Sequence, residues 1–130
     1  MVGIAFVFTL LSTSGFAELT CNFHAFSDEE QAKFESVVVE GFYSHGFEKQ
    51  AFLPLDSKKP WWVTSSKLSE LLIASNASRL RVVVRGMLSP IGKYGHLLEY
   101  ERCLTQVEVL KVIDPANIPN NQYGASGEMR

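Results

Sequence analysis

Three histidines, His24, His45 and His96, are the groups in this chain best suited to moving protons or ligating a metal near neutral pH. No two share a helical or strand spacing that would present them together. His96 has the richest surroundings, the stretch Arg85-Gly86-Met87-Leu88-Ser89-Pro90-Ile91-Gly92-Lys93-Tyr94-Gly95-His96-Leu97-Leu98-Glu99-Tyr100-Glu101-Arg102. Its glycines and proline shape the backbone, and Tyr94, His96 and Tyr100 supply aromatic and imidazole groups. That combination suits a recognition loop. His96 either contacts a ligand or metal, or hydrogen-bonds the loop and holds its shape. Tyr94 and Tyr100 either meet a ligand or plug the core with satisfied hydroxyls. Arg85 and Arg102 can clamp an anion or pair with Glu99 or Glu101.

No Ser-His-Asp set, glycine-rich phosphate loop or H-E-x-x-H motif is present. A hydrolase using Glu48 and Glu99 has nothing else to support it. A three-histidine metal site would need the segment around His24 to fold across the loop. No cofactor is expected. Of the 130 residues, 46% are hydrophobic and 20% charged, a globular composition sufficient for one core. The net charge of -2 argues against a dominant polyanion-binding role. Arg79, Arg81 and Arg85 still place a local basic patch on one strand face.

Residues 1–17 read as a signal peptide. Val2 to Leu11 is apolar apart from Gly3 and Thr9, and Gly15 and Ala17 are small residues before a cut at Glu18. The pattern departs from the usual one in lacking Lys or Arg near Met1. The run is too short to span a bilayer comfortably, so no transmembrane segment is expected after cleavage. Cys21 and Cys103 remain, and export invites a disulfide between them; two free thiols are the alternative.

The elements that position the loop follow in order. Residues 18–33 form a polar, mixed lead-in with Ser27 and Glu30 spaced as a capping box. Phe34 to Phe42 reads as a first strand in which Gly41 suggests a bulge or a sharp coil. Tyr43-Ser44-His45-Gly46 reads as a turn and Phe47 to Leu53 as a second strand. Trp61-Trp62-Val63-Thr64 is a short third strand whose tryptophans must face opposite ways. A helix from Ser65 or Ser66 to about Ala74 carries Leu68, Leu71 and Leu72 on one stripe. Arg79 to Leu88, with a bulge permitted at Gly86, and Cys103 to Ile113 complete five strands. Residues 114–130 read as a disordered tail.

This order resembles the OB-fold over residues 34–113: a mainly β, five-stranded OB-like Greek-key barrel with one helix between strands three and four. In that fold the ligand face involves strands two and three and the loops joining strands one to two and four to five. Those positions hold His45, Trp61, Trp62, Tyr94, His96, Tyr100 and Arg102, the expected ligand-binding set. The Trp pair together with the G-x-Y-G-H-L loop also resembles small, largely uncharacterised bacterial exported proteins. That likeness implies a periplasmic or secreted protein and carries no catalytic assignment. The expectation is therefore an exported binding module for a small molecule, peptide or envelope protein, without nucleic acid as a partner. The alternatives are a metal-dependent or hydrolytic enzyme using His45 and His96, and a purely structural envelope protein.

Overall fold

The computed structural model describes residues 17–46 and 49–115. The expected signal peptide lies outside them up to residue 16, as do residues 116–130 of the expected tail and the 47–48 connection. The lead-in forms a helical turn at 17–20, a 3-10 turn over Phe23–Ala25 and helix α1 (Asp28–Gln31). The capping box closes as its spacing implies: the Ser27 hydroxyl accepts the Glu30 N–H, and the Glu30 carboxylate accepts the Ser27 N–H, both at 3.1 Å.

The remainder is mainly β: β1 (Glu35–Gly46), β2 (Lys49–Pro54), β3 (Trp61–Val63), helix α2 (Ser66–Ser75), β4 (Leu80–Leu88) and β5 (Cys103–Asp114). Ser65 starts α2 by accepting the Leu68 N–H at 3.1 Å, and Asn76 ends it in the left-handed conformation at φ 55°. The strands form one mixed sheet in the order β1-β2-β3-β5-β4, and β4 pairs back onto β1 to close a ring. All pairs are antiparallel except β3 with β5. The ring is irregular because β3 is so short. It meets β2 only at Ala51↔Trp62 and Phe52↔Trp61, and β5 only at Trp62↔Cys103 and Val63↔Leu104.

The sequence reading misplaced one turn. Tyr43–Gly46 continues β1, paired residue for residue with Phe52 to Lys49. Tyr43 is fully buried, and its hydroxyl lies 2.9 Å from that of Ser69 on α2. Burial and a ladder partner outweigh the local turn preference of Ser44, His45 and Gly46. Gly41 is not a bulge either: its pairings with Pro54 and Val82 continue those of its neighbours. Its role is close approach, since a Cβ there would come within 2.8 Å of the Phe52 ring. At Gly86 the β4–β5 register does shift, between Arg85 and Met87.

Alternation along the strands creates two cores. Inside the ring, Tyr43, Phe52, Val63, Leu80, Val82, Val84 and Leu104 pack with Leu68, Leu71 and Leu72 of α2. Residues of opposite parity on the outer face, Trp62 and Cys103 among them, would normally meet water. Here Ala17, Cys21, Phe26, Phe34 and Tyr94 cover them, with Met87 and Tyr100 at the edge. The aromatic residues of the mixed lead-in roof an outer core, Phe34 meeting the rings of Phe23 and Phe26 edge-on.

Candidate functional site

The connection between β4 and β5 folds back on itself as a zipped arm. The Ser89 N–H donates to Cys103 O at 2.9 Å and the Gly92 N–H to Glu101 O at 2.8 Å. Tyr94 and Tyr100 exchange both backbone bonds, at 2.7 and 3.1 Å. Each bond fixes backbone that a loop of this length would otherwise leave free. The arm ends in the turn Gly95-His96-Leu97-Leu98, closed by the Leu98 N–H on Gly95 O at 3.0 Å.

Trp62 is the base of this arm. Its indole is 2% exposed although it lies on the outer face of β3. The His96 and Tyr100 rings stand 5.0 and 5.6 Å from it, tilted by about half a right angle. Gly95 has φ 95°, and a Cβ there would lie 2.9 Å from the indole. The position therefore demands glycine for both conformation and space. Gly95 also donates its N–H to Glu18 O at 3.0 Å, which ties the arm to the lead-in. A disulfide between Cys21 and Cys103 fastens the same two segments across 82 residues. In the loop-entropy account such a closure stabilises by about 4.5 kcal/mol. This buried bond is compatible with an oxidising, exported location.

The structure divides the expected site residues. Trp62, Tyr94, His96 and Tyr100 come together, but Trp62 and Tyr94 sit inside the outer core. Tyr94 is 4% exposed and donates its hydroxyl to Pro90 O at 2.9 Å. Burial pushes its phenol above the ordinary value, with Glu18 and Glu30 adding and Ser89 and Arg102 opposing. Tyr100 is half-buried and shifts the same way, for burial first and Glu99 second. Arg102 does not pair with Glu99 or Glu101; its guanidinium donates to Ser89 O at 3.0 Å and braces the arm. Lys59 takes Glu101 instead, at 2.9 Å. Trp61 faces the inner core, stacked on Phe52 at 6.0 Å. His45 neighbours Tyr43, with ring centroids 6.0 Å apart, and lines a cleft with Asn76 at the end of α2, whereas His96 lies on Trp62. The two imidazoles thus serve different elements. Among the described residues no three His, Cys, Asp or Glu side chains form a metal-binding group.

Exposed apolar side chains mark what the sequence reading passed over. Ile91, Leu97 and Leu98 are 66%, 60% and 39% exposed, and all three lie on the arm. Leu98 has φ 55°, a strained conformation for a leucine. Residue types alone could have found them: Leu97-Leu98 is an apolar pair between His96 and Glu99 in a stretch otherwise read as loop. Beside the tip, Lys59, Pro60, Glu99, Tyr100 and Glu101 line a cleft of about 410 Å³ with two carboxylates and one ammonium. A cleft of about 660 Å³ lies elsewhere, between Thr20 of the lead-in, Ser66 of α2 and Thr105 of β5. No residue of the expected set lines it.

The expected basic patch is reduced by pairing. Arg81 meets Glu40 at 2.6 Å and Arg85 meets Glu108 at 2.9 Å, whereas Arg79 lies over the Phe42 ring at 4.2 Å. Among the described residues no helix is long and apolar enough to cross a membrane. Compared with protein-family models, with curated proteins and with solved structures, the chain finds no match.

Proposed function

We propose that this protein is an exported binding module that engages a protein or peptide partner through the tip of the β4–β5 arm. The observation that carries this reading is the contrast within the arm. Its base is zipped and sits on a buried tryptophan, yet its tip holds Leu97 and Leu98 out in water with Leu98 strained. Folding alone gains nothing from that arrangement; a partner that covers the two leucines does. Glu99 beside them suits a basic group on the partner, Glu101 being paired with Lys59, and His96 supplies a polar contact at the edge.

The ring is, on this reading, an OB-like Greek-key barrel. Its strand order, its closure through β1 and β4 and the helix between β3 and β4 support that assignment. Export rests on the signal-like N-terminus together with the disulfide. Cleavage before Glu18 would take the Ala17 methyl out of the outer core and leave a new amine at its edge. Nucleic acid is not a partner on this reading, because two of the three β4-side arginines already hold carboxylates.

The test is site-specific photo-crosslinking in native envelopes, with the photoreactive residue at Leu97 and a control at Lys111. A discrete adduct from position 97 that Leu98→Asp abolishes, in a variant of unchanged melting temperature, is expected. The same adduct from Lys111, or no adduct from either, would remove the arm as a binding element.

A further inference from the structure

We propose a second ligand site, separate from the arm tip, for a small phosphate or sulfate ester. It is the cleft of about 250 Å³ whose wall includes Phe42, Lys49, Leu53, Lys58, Pro60 and Arg79. Three cations from three segments converge there: Lys49 opens β2, Lys58 stands in the β2–β3 connection and Arg79 precedes β4. Among the described residues, no carboxylate lines the cleft. The neighbouring cations are treated differently. Arg81 holds Glu40, Arg85 holds Glu108, and Lys59, next to Lys58, holds Glu101.

Like charges gathered together repel one another, and a cleft lined by one sign concentrates its field. An anion seated among them removes the repulsion. The Arg79 guanidinium is held 4.2 Å over the Phe42 ring, so its planar donors lose less freedom on meeting an oxyanion. Lys49 and Lys58 add point charges on flexible stems. Phe42, Leu53 and Pro60 give the cleft an apolar floor, which favours an ester over the free ion. The volume of about 250 Å³ suits a tetrahedral anion with one ring or short chain. Pro60 is the wall shared with the acidic cleft beside the tip, so cationic and anionic recesses lie on its two sides.

The experiment is an NMR titration of the disulfide-bonded protein with phenyl phosphate, phenyl sulfate, inorganic phosphate and phenol. Saturable shifts of the Ser44, Ala51 and Leu53 amides with the two esters are expected, weakening as salt rises. Inorganic phosphate should bind at least several-fold more weakly, and phenol should leave those amides unmoved. Arg79→Ala and Lys58→Ala should each weaken phenyl phosphate about tenfold, and Arg79→Lys should restore part of it; both positions are exposed, and the unliganded spectrum verifies the fold. Affinity unchanged in both alanine variants, shifts centred on other residues, or equal binding of phenol would overturn the site. Equal binding of inorganic phosphate would overturn its preference for an ester.

Discussion

The inner and outer cores of this molecule bury similar side chains by different means. The inner core is made by strand alternation and one helix stripe, and its members are held by the sheet's own hydrogen bonds. The outer core joins a lead-in, one face of β3, one face of β5 and a loop arm that no ladder holds together. Its integrity depends on the Cys21–Cys103 bond, the Gly95–Glu18 hydrogen bond and the fit of a glycine on an indole. The inner core makes the ring. The outer core decides where His96, Leu97 and Leu98 stand.

Breaking the disulfide is the strongest test of that division. Replacing both cysteines with serine should cost about 4–5 kcal/mol in chemical denaturation. If the ring stays folded, hydrogen exchange should accelerate first in the arm and lead-in and last in β1 and β4. Uniform acceleration would mean that the two cores unfold as one. Trp62→Ala should cost about 3–5 kcal/mol and free the tip. Phe52→Ala, an inner-core deletion of similar scale, should instead loosen the strands while the arm stays zipped until global unfolding. Trp62→Phe should cost less than either, because the buried indole Nε1 has no hydrogen-bond partner among the described residues and its removal leaves nothing further unsatisfied.

Smaller changes sharpen the contrast. Gly95→Ala should destabilise by about 1–3 kcal/mol through left-handed strain, read out as a lowered denaturation midpoint and broadened signals confined to the arm. Tyr94→Phe should cost about 1 kcal/mol for its hydroxyl bond to Pro90 O. The pH dependence is smaller still and has a definite sign. Burial, with Glu30 second, raises the Glu18 carboxyl above its ordinary value of 4.5. The folded state therefore holds that proton more tightly. The resulting stability is fully present below the ordinary value and is lost as pH rises through the higher folded one. Glu18→Gln should remove this drift and slightly raise the melting temperature at neutral pH. An unchanged profile between pH 4 and 6 would show that the lead-in does not enclose that carboxyl in solution.

Much of the inner core could be read from the chain alone. Leu80, Val82 and Val84 alternate, Leu68, Leu71 and Leu72 lie on one helical stripe, and Ser27 and Glu30 stand at capping-box spacing. These are local signals, fixed by the two-residue and 3.6-residue repeats that the backbone imposes. The same repeat required Trp61 and Trp62 to face apart. It could not say which would be buried deeper, because that depends on what covers each face. The lead-in and the arm reverse the simple expectation: the outward-facing Trp62 is the more buried. Tyr43–Gly46 shows the same limit, since pairing with β2 extends a ladder through residues that favour a turn. Residue types also singled out Tyr94, His96 and Tyr100 as a group. Their division into a buried brace, an edge and a cleft wall was settled by contacts between segments far apart in sequence. Such contacts follow from how the folded surfaces meet, and no local spacing encodes them.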